Sequence, residues 1–446
     1  MAGAEQDPIS VINQIRDNLR DRYENGFPVL KEIIQNSDDA TADKLVMGWC
    51  QGVENPDNPL LRDPAIFFIN NAPLKEEHEK GIRSIAAGSK ADSKASVGKF
   101  GLGMKSLFHL CEAFFYQSDQ WQEFGWAAEV FNPWGEEYRP DWHEYSKSDQ
   151  AKIFQKLSRV IQRFAVTKDS PWFIVWVPLR THQQIPAGEG SIAGIFEDDG
   201  DVPEFLLDKN LPGKIAEIFP LLKQLKQVEL LIENKTDSFE SIFTIQIGNK
   251  SERSRFIGDA ILSDASVKAG WAGEVCINHS GSDSRIQYAG VERILQSDKL
   301  AEIKRKENGW PCSFQKDIKT GKVKHAPDKA EPHVAIVITR TPAKDQAHIT
   351  ANWAVFLPLS ETPEFKRENI PGDFNYHIYL HGHFFVDAGR NGIHGHDAIG
   401  KDADSPWREG DEKALLRAWN QALANEGTPG GCPRIDCPAA VAANWS

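Results

Sequence analysis

Glu32, Asn36 and Asp39 lie on the stretch Leu30-Lys-Glu-Ile-Ile-Gln-Asn-Ser-Asp-Asp-Ala40. On a helix turning about 100° per residue they share an arc of roughly 60°, while Leu30, Ile33 and Ile34 occupy the opposite side. One face would pack and the other would present polar groups. A plain surface helix would do the same, but these groups are a carboxylate able to act as a base and, one turn later, an amide oxygen suited to a hard cation such as Mg²⁺. A second stretch, Val97-Gly-Lys-Phe-Gly-Leu-Gly-Met-Lys-Ser106, runs into an apolar helix through Leu107, Phe108 and Leu110. Gly98, Gly101 and Gly103 let the backbone approach a polyphosphate, a helix start supplies unpaired N–H groups, and Lys105 adds a full positive charge. A lone GxxGxG is a weak signal. It is neither a Walker loop, which needs GxxxxGK[ST], nor a Rossmann fingerprint, because a Ser/Lys-rich loop rather than a strand precedes it.

Residues 8 to 47 read as helical, with Val11, Ile12, Ile15 and Leu19 at helical spacing, a break at Gly26 and a second helix opening at Pro28. Ala65 to Ile69 and Phe173 to Val177 read as strands, and the Gly/Ser/Ala/Lys stretch from Gly81 to Ser96 as a mobile loop with little to bury. An acidic Gly-rich connection, Gly188 to Glu204, leads to a helix holding Leu221, Leu222 and Leu225, and a soft boundary falls near 236. Beyond it, Phe243 to Ile247, Val334 to Ile338, Ala354 to Leu357 and Phe384 to Val386 suggest strands of a second mixed domain. Asp411 to Asn425 reads as a closing helix with Leu416, Trp419 and Leu423 on one face.

Together and in this order, these segments resemble the ATP-binding domain of the gyrase, heat-shock-protein-90, histidine-kinase and MutL superfamily, the Bergerat or GHKL fold. Val29-Leu-Lys-Glu-Ile-Ile-Gln-Asn-Ser-Asp-Asp-Ala40 looks like the corresponding run of sacsin and its bacterial relatives. So do Asn70-Asn71-Ala72, Gly81-Ile82, Ser89-Lys90, the stretch from Val97 to His109, Pro178-Leu-Arg-Thr181, Phe356-Leu-Pro-Leu359 and His381-Gly-His-Phe-Phe-Val-Asp387. The resemblance implies an α+β fold: an N-terminal Bergerat-type sandwich at 1–235, with helices on one face of a mixed, mostly antiparallel sheet and a lid at 81–96. A second α/β domain at 236–425, similar to a sacsin-repeat or middle domain, and a loose tail at 426–446 would follow.

The resemblance further implies ATP with Mg²⁺ as cofactors and slow hydrolysis, with nucleotide state coupled to a protein partner or client, and a homodimer as one arrangement. Glu32 would be the general base and Asn36 the Mg²⁺ ligand. Asp39, Asn70, Ser89, Lys90, Gly98, Phe100, Gly101, Gly103 and Lys105 would line the nucleotide, and Arg390, or less favourably Lys366, would reach the γ-phosphate from the second domain. Two departures stand out. The superfamily reads adenine with an Asp, where this chain offers Asn70-Asn71-Ala72, so a charge is missing. The fourth motif's Gly-Thr is replaced by Pro171-Trp172-Phe173, leaving Thr167 or Ser170 as the available hydroxyl. A non-catalytic nucleotide-sensing module and an ATP-gated DNA clamp are the alternative classes.

The 446 residues suffice for two or three domains, and 40% apolar with 26% charged residues excludes a disordered or fibrous chain. Fifty-one basic against 64 acidic residues give a net charge of -13, which argues against a surface devoted to nucleic acid or anionic membrane. No apolar run has the length of a membrane span, and the opening MAGAEQDPIS lacks a secretory pattern, so a cytoplasmic protein with reduced thiols is expected. His377, His381, His383, His394 and His396 form two HxH pairs at strand spacing, able to place two imidazoles on one face. No third carboxylate or thiol partner is evident for a metal, so display of polar groups is the expectation. Lys304-Arg-Lys306 with Lys316 to Lys324 reads as a solvated basic loop rather than a nucleic-acid surface.

Overall fold

The computed structural model describes residues 8–22, 25–75, 82, 103–119, 128–163, 170–185, 190–196, 201–248, 267–306, 314–316, 323–325, 332–355, 357–360, 362–386, 392–395 and 412–427. Helix α1 (Pro8–Arg22) buries Ile12, Ile15 and Leu19, as their spacing predicts. Gly26 follows at φ 90° and ψ -130°, a conformation open only to glycine, and Pro28 occupies the first turn of α2 (Phe27–Asp39), where no N–H is missed.

The helical reading of 8–47 runs too far. Ala40 and Ala42 donate to the Asn36 and Ser37 carbonyls, Thr41 turns the chain at φ 71°, and Lys44–Cys50 is strand β1. Its apolar run has no alternation because the strand is buried on both sides, and periodicity alone cannot then separate strand from helix. Nor is α2 amphipathic: its buried run extends from Ile33 through Asp38, polar residues included.

Among the described residues fifteen further strands follow: β2 (Ala65–Asn70), β3 (Phe114–Ser118), β4 (Ala128–Phe131), β5 (Phe173–Pro178), β6 (Gln227–Glu233), β7 (Phe239–Ile247), β8 (Val267–His279), β9 (Ser282–Ile294), β10 (Phe314–Lys316), β11 (Val323–His325), β12 (His333–Pro342), β13 (Ala347–Val355), β14 (Leu357–Pro358), β15 (Phe365–Ile370) and β16 (Phe374–Gly382). β10 and β11 form a separate ribbon. The others and β1 make one sheet in the order β14-β13-β16-β12-β9-β8-β7-β6-β1-β2-β5-β3-β4, with β15 beside β13. Only β1 with β6 and β13 with β16 are parallel, so the fold is α+β with a mixed, mostly antiparallel sheet.

Helices lie against the first part of the sheet, which bears out the α+β expectation. Met47 pairs with Phe68 and Phe68 with Val175, and this face carries α2. Helix α3 (Lys147–Ile161) lies across the other, where Lys156 and Arg163 just beyond it pair with Glu233 and Glu229 of β6. The boundary expected near 236 falls on the β6–β7 turn, through which the sheet continues.

Helix α4 (Leu211–Ile218) is followed by one 3₁₀ turn, Phe219–Leu221, and then an extended segment into β6. The helix read around Leu221, Leu222 and Leu225 is therefore absent, because Pro220 has no N–H to continue it. Phe384 to Val386 is likewise not a strand, Val386 alone bridging Ile393; the strand is β16 just before it. Val355 ends β13, so the strand read over Ala354 to Leu357 is divided between β13 and β14. Helices α5 (Asp298–Lys306) and α6 (Glu412–Gly427) pack a second core around Leu300, Val334, Phe384, Trp419 and Leu423. No helix among the described residues is long and apolar enough to cross a membrane.

Where α2 and α4 meet β13 and β16, a hollow is lined by Phe27, Lys31, Glu217, Asn352, His377 and Tyr379. Burial pushes the Glu217 carboxyl up from 4.5 to about 7. The unfolded chain then releases this proton while the folded one keeps it, so stability falls as pH rises from 4.5 towards 7. His377, held down to about 4 by burial, gives the opposite slope between 6.5 and 4. Replacing Glu217 by Gln removes only the first slope and is expected to leave the variant about 1–3 kcal/mol more stable at pH 8. Urea unfolding at pH 5 and 8 checks this, and identical pH slopes in the two proteins would contradict it.

Candidate functional site

The end of α2, the end of β2 and the segment after Gly103 converge on an open-mouthed hollow. Ile33, Asn36, Ser37 and Ala40 form one wall, Phe68, Asn70, Phe173 and Val175 the floor, and Met104 the rim opposite α2. Asn36 is 9% exposed, and its Nδ2 has no hydrogen-bond partner among the described residues. An unpaired buried amide is costly unless a ligand completes it, and an amide can turn either its oxygen or its nitrogen to that ligand. Glu32 stands one turn earlier, half-buried, and is not among the residues lining the hollow. Asp39 is also half-buried and outside the lining.

Gly103–His109 is a helix, of 3₁₀ type, packed against α2. Lys105 is 3% exposed within it. Arg180 of the Pro-Leu-Arg-Thr run holds this segment in place. Its fully buried guanidinium donates to the carbonyls of Phe108 (2.7 Å), His109 (2.9 Å), Cys111 (2.6 Å) and Gly194 (3.2 Å), and Nε to Glu112. Glu112 also accepts from Trp134 Nε1 and the Ile192 N–H. One side chain thus satisfies carbonyls at the helix end that no intrahelical bond reaches. Burial pushes the Cys111 thiol beside this pair far up, and Cys50 likewise, so both are poor nucleophiles; with Cys276 they are free thiols.

The first aspartate of the Asp38-Asp39 pair has a role the sequence reading did not assign. Its carboxylate accepts from the N–H groups of Lys223, Gln224 and Leu225, tying the end of α2 to the segment entering β6. A signal for this was present: negative charge at a helix C-terminus opposes the macrodipole, so two adjacent aspartates there need donors from elsewhere. At the other end of α2, Lys31 Nζ donates to the Pro358 carbonyl at 2.9 Å, and Leu357 enters the first core. Leu357 and Pro358 thus dock against α2 at Lys31, next in sequence to Glu32.

Asn70 is committed locally. Its Oδ1 accepts from the Ala72 N–H at 3.0 Å and its Nδ2 donates to Ser37 Oγ at 3.4 Å. Asn71 accepts from the Asp43 and Lys44 N–H groups. Among the described residues lining the hollow, no carboxylate stands at this end of β2. Ser89, Lys90, Gly98, Phe100, Gly101, Thr167 and Arg390, the tail beyond 427, and the lid at 81–96 apart from Ile82 lie outside the described residues. Lys366 on β15 pairs with Glu368 at the surface.

The family model of the sacsin domain matches residues 9–242, the part of the chain that builds this hollow and the segments clamping it. Over 108 residues, 23% of this chain, the sequence is 34% identical to sacsin of Homo sapiens, and the match spans 2% of that protein's length. Among solved structures, the B-subunit of the DNA gyrase from Myxococcus xanthus is similar at 10% identity and a TM-score of 0.33, over 96% of this chain and 99% of that one, a superposition too loose to argue from. Because the family match takes in α1, α2, the 103–109 segment and the Arg180 clamp as one unit, the chain belongs to the sacsin domain family.

Proposed function

We propose that the hollow binds ATP together with Mg²⁺, that Glu32 acts as base in a slow hydrolysis, and that nucleotide state is passed on to a protein partner. Residues 1–235 would be the nucleotide unit, 81–96 its lid, and 236–425 the unit that responds, acting in the cytoplasm. The observation that carries this is Asn36: a buried, unpartnered amide opening on a cavity between α2 and the segment after Gly103. Turned over, the Asn36 amide would offer its oxygen in place of the orphaned Nδ2, and in that orientation it would fit a hard cation such as Mg²⁺. Bound there, the ion would neutralise charge on the phosphates. Asn36 would hold it, Lys105 and the glycine backbone would face the phosphates, and Phe68 and Val175 would cover the base.

Calorimetric titration of the full chain with a non-hydrolysable ATP analogue and Mg²⁺ tests this. Asn36→Ala is expected to weaken binding at least about tenfold, roughly 1.4 kcal/mol. Absence of binding by the unaltered chain at millimolar analogue would end the proposal. Asn70→Asp puts back a charged acceptor, which makes stronger hydrogen bonds than a neutral one. It is expected to raise preference for ATP over GTP by about tenfold in competition titrations; an unchanged ratio would place base recognition elsewhere.

Two observations favour a second reading, a non-catalytic nucleotide sensor: Asn70 is spent on its own turn, and Glu32 is outside the hollow's lining. Single-turnover assays separate the two, since a sensor holds ATP uncleaved.

A further inference from the structure

His333, His381 and His383 bring one ring nitrogen each to within 4.8 Å of one another. Strand pairing puts them there. Val334 of β12 faces Gly382 of β16 and Ala335 faces His381, so His333 stands opposite His383, with His381 two residues along the same face. The His383 N–H donates to the His333 carbonyl, fixing that pairing beyond the end of β16. The HxH pattern supplies two imidazoles, and the third comes from a strand some fifty residues earlier, roughly the separation at which sequence spacing carries no signal.

We propose that these three histidines form a metal centre for a borderline first-row cation, with Zn²⁺ as its probe, independent of whether the hollow at α2 takes a nucleotide. Three imidazoles are the donor set of an open four-coordinate zinc site, and imidazole suits Zn²⁺, Ni²⁺ and Cu²⁺ over Mg²⁺ or Ca²⁺.

The surroundings are those of ligands rather than of a surface cluster. His333 is 8% exposed; its Nε2 bonds Glu292 Oε2 of β9 at 2.9 Å, and its Nδ1 is buried with no partner among the described residues. A carboxylate on one ring nitrogen fixes the tautomer and leaves the other as an acceptor aimed at a metal. His381, 9% exposed, bonds the Ala354 carbonyl of the neighbouring strand, the other common outer partner of a ligating histidine. His383 is half-buried, which leaves the fourth position a route to solvent. Ring centroids are 4.7 Å apart for His333 and His383 and 5.4 Å for His333 and His381. Metal–nitrogen bonds of about 2.0–2.1 Å need the nitrogens roughly 3.3 Å apart, so the rings would have to turn about their broad terminal torsions to close on an ion. The Lys223 ammonium, which also faces His381, opposes a cation, and Glu292 offsets it.

The full chain, freed of any polyhistidine tag and dialysed against micromolar Zn²⁺, is expected to retain about one ion per chain by elemental analysis. Co²⁺ in its place should give the visible bands of a four-coordinate site. His383→Gln, which alters the half-buried ligand, should lower zinc affinity at least tenfold and abolish the bands, and Glu292→Gln should lower it about ten- to a hundredfold. Exposed His182→Gln should change neither. Background zinc with no Co²⁺ bands in the unaltered chain overturns the proposal, as does a folded His383→Gln that binds zinc like the parent. Should His383→Gln fail to fold, Glu292→Gln decides, and parental affinity in that variant overturns the proposal.

Discussion

Arg180→Ala is expected to lose about 3–5 kcal/mol of stability, the range for breaking a buried ion pair by removing one partner. The loss has two sources. Glu112, itself fully buried, would keep its charge without a counter-ion, and three carbonyls at and just after the 103–109 segment, with that of Gly194, would lose their donor. Lysine does not replace it: one ammonium cannot satisfy carbonyls spread around a planar fork, so Arg180→Lys should fail nearly as badly. The double change Arg180→Met with Glu112→Gln should recover part of the loss, because no charge is then left alone. Urea unfolding of the three variants reads this directly. A cost below about 1 kcal/mol for Arg180→Ala would mean that water enters and solvates Glu112.

Glu32→Gln is expected to reduce ATP hydrolysis by about 10²–10⁴-fold, the usual contribution of a positioned general base, while leaving nucleotide affinity near that of the parent. The amide keeps the shape and hydrogen-bonding reach of the carboxylate but cannot take a proton from water. The split separates Glu32 from Asn36, whose loss should appear in binding. Turnover unchanged in Glu32→Gln, with binding intact, would remove the base assignment, whereas bound ATP left uncleaved by the parent itself would favour the sensor reading. Since the Lys31 ammonium beside it is bound to the Pro358 carbonyl, the second part of the chain sits within one residue of this carboxylate.

What was legible of the candidate site is local. Glu32, Asn36 and Gly103 to Lys105 were marked by residue type and spacing within single elements and Asn70 by the resemblance, and the structure brings Asn36, Asn70 and Met104 to one cavity while Glu32 and Lys105 stay outside its lining. What was illegible depends on partners far away in sequence. Asp38 takes its meaning from N–H groups at 223 to 225, Arg180 from carbonyls at 108 to 111, and His381 from His333. The strand errors have a related origin. β1 and β6 are buried on both faces, so alternation is erased, and the turn after Pro220 ends a helix that leucine content alone would have continued.

The unbroken ladder from β4 to β14 limits how the two parts of the chain can move against each other. Swinging one half about a pivot would tear backbone bonds along a whole strand edge, so any signal that the proposed nucleotide site sends through the sheet would travel as torsion, the way a bent ruler carries a twist. Within the sheet the seam for that torsion is β7 with β8, where five residue pairs among the described residues join the halves, from Phe243 with His279 to Ile247 with Val275. Amide protons at this seam should be the ones whose exchange responds when the far hollow fills.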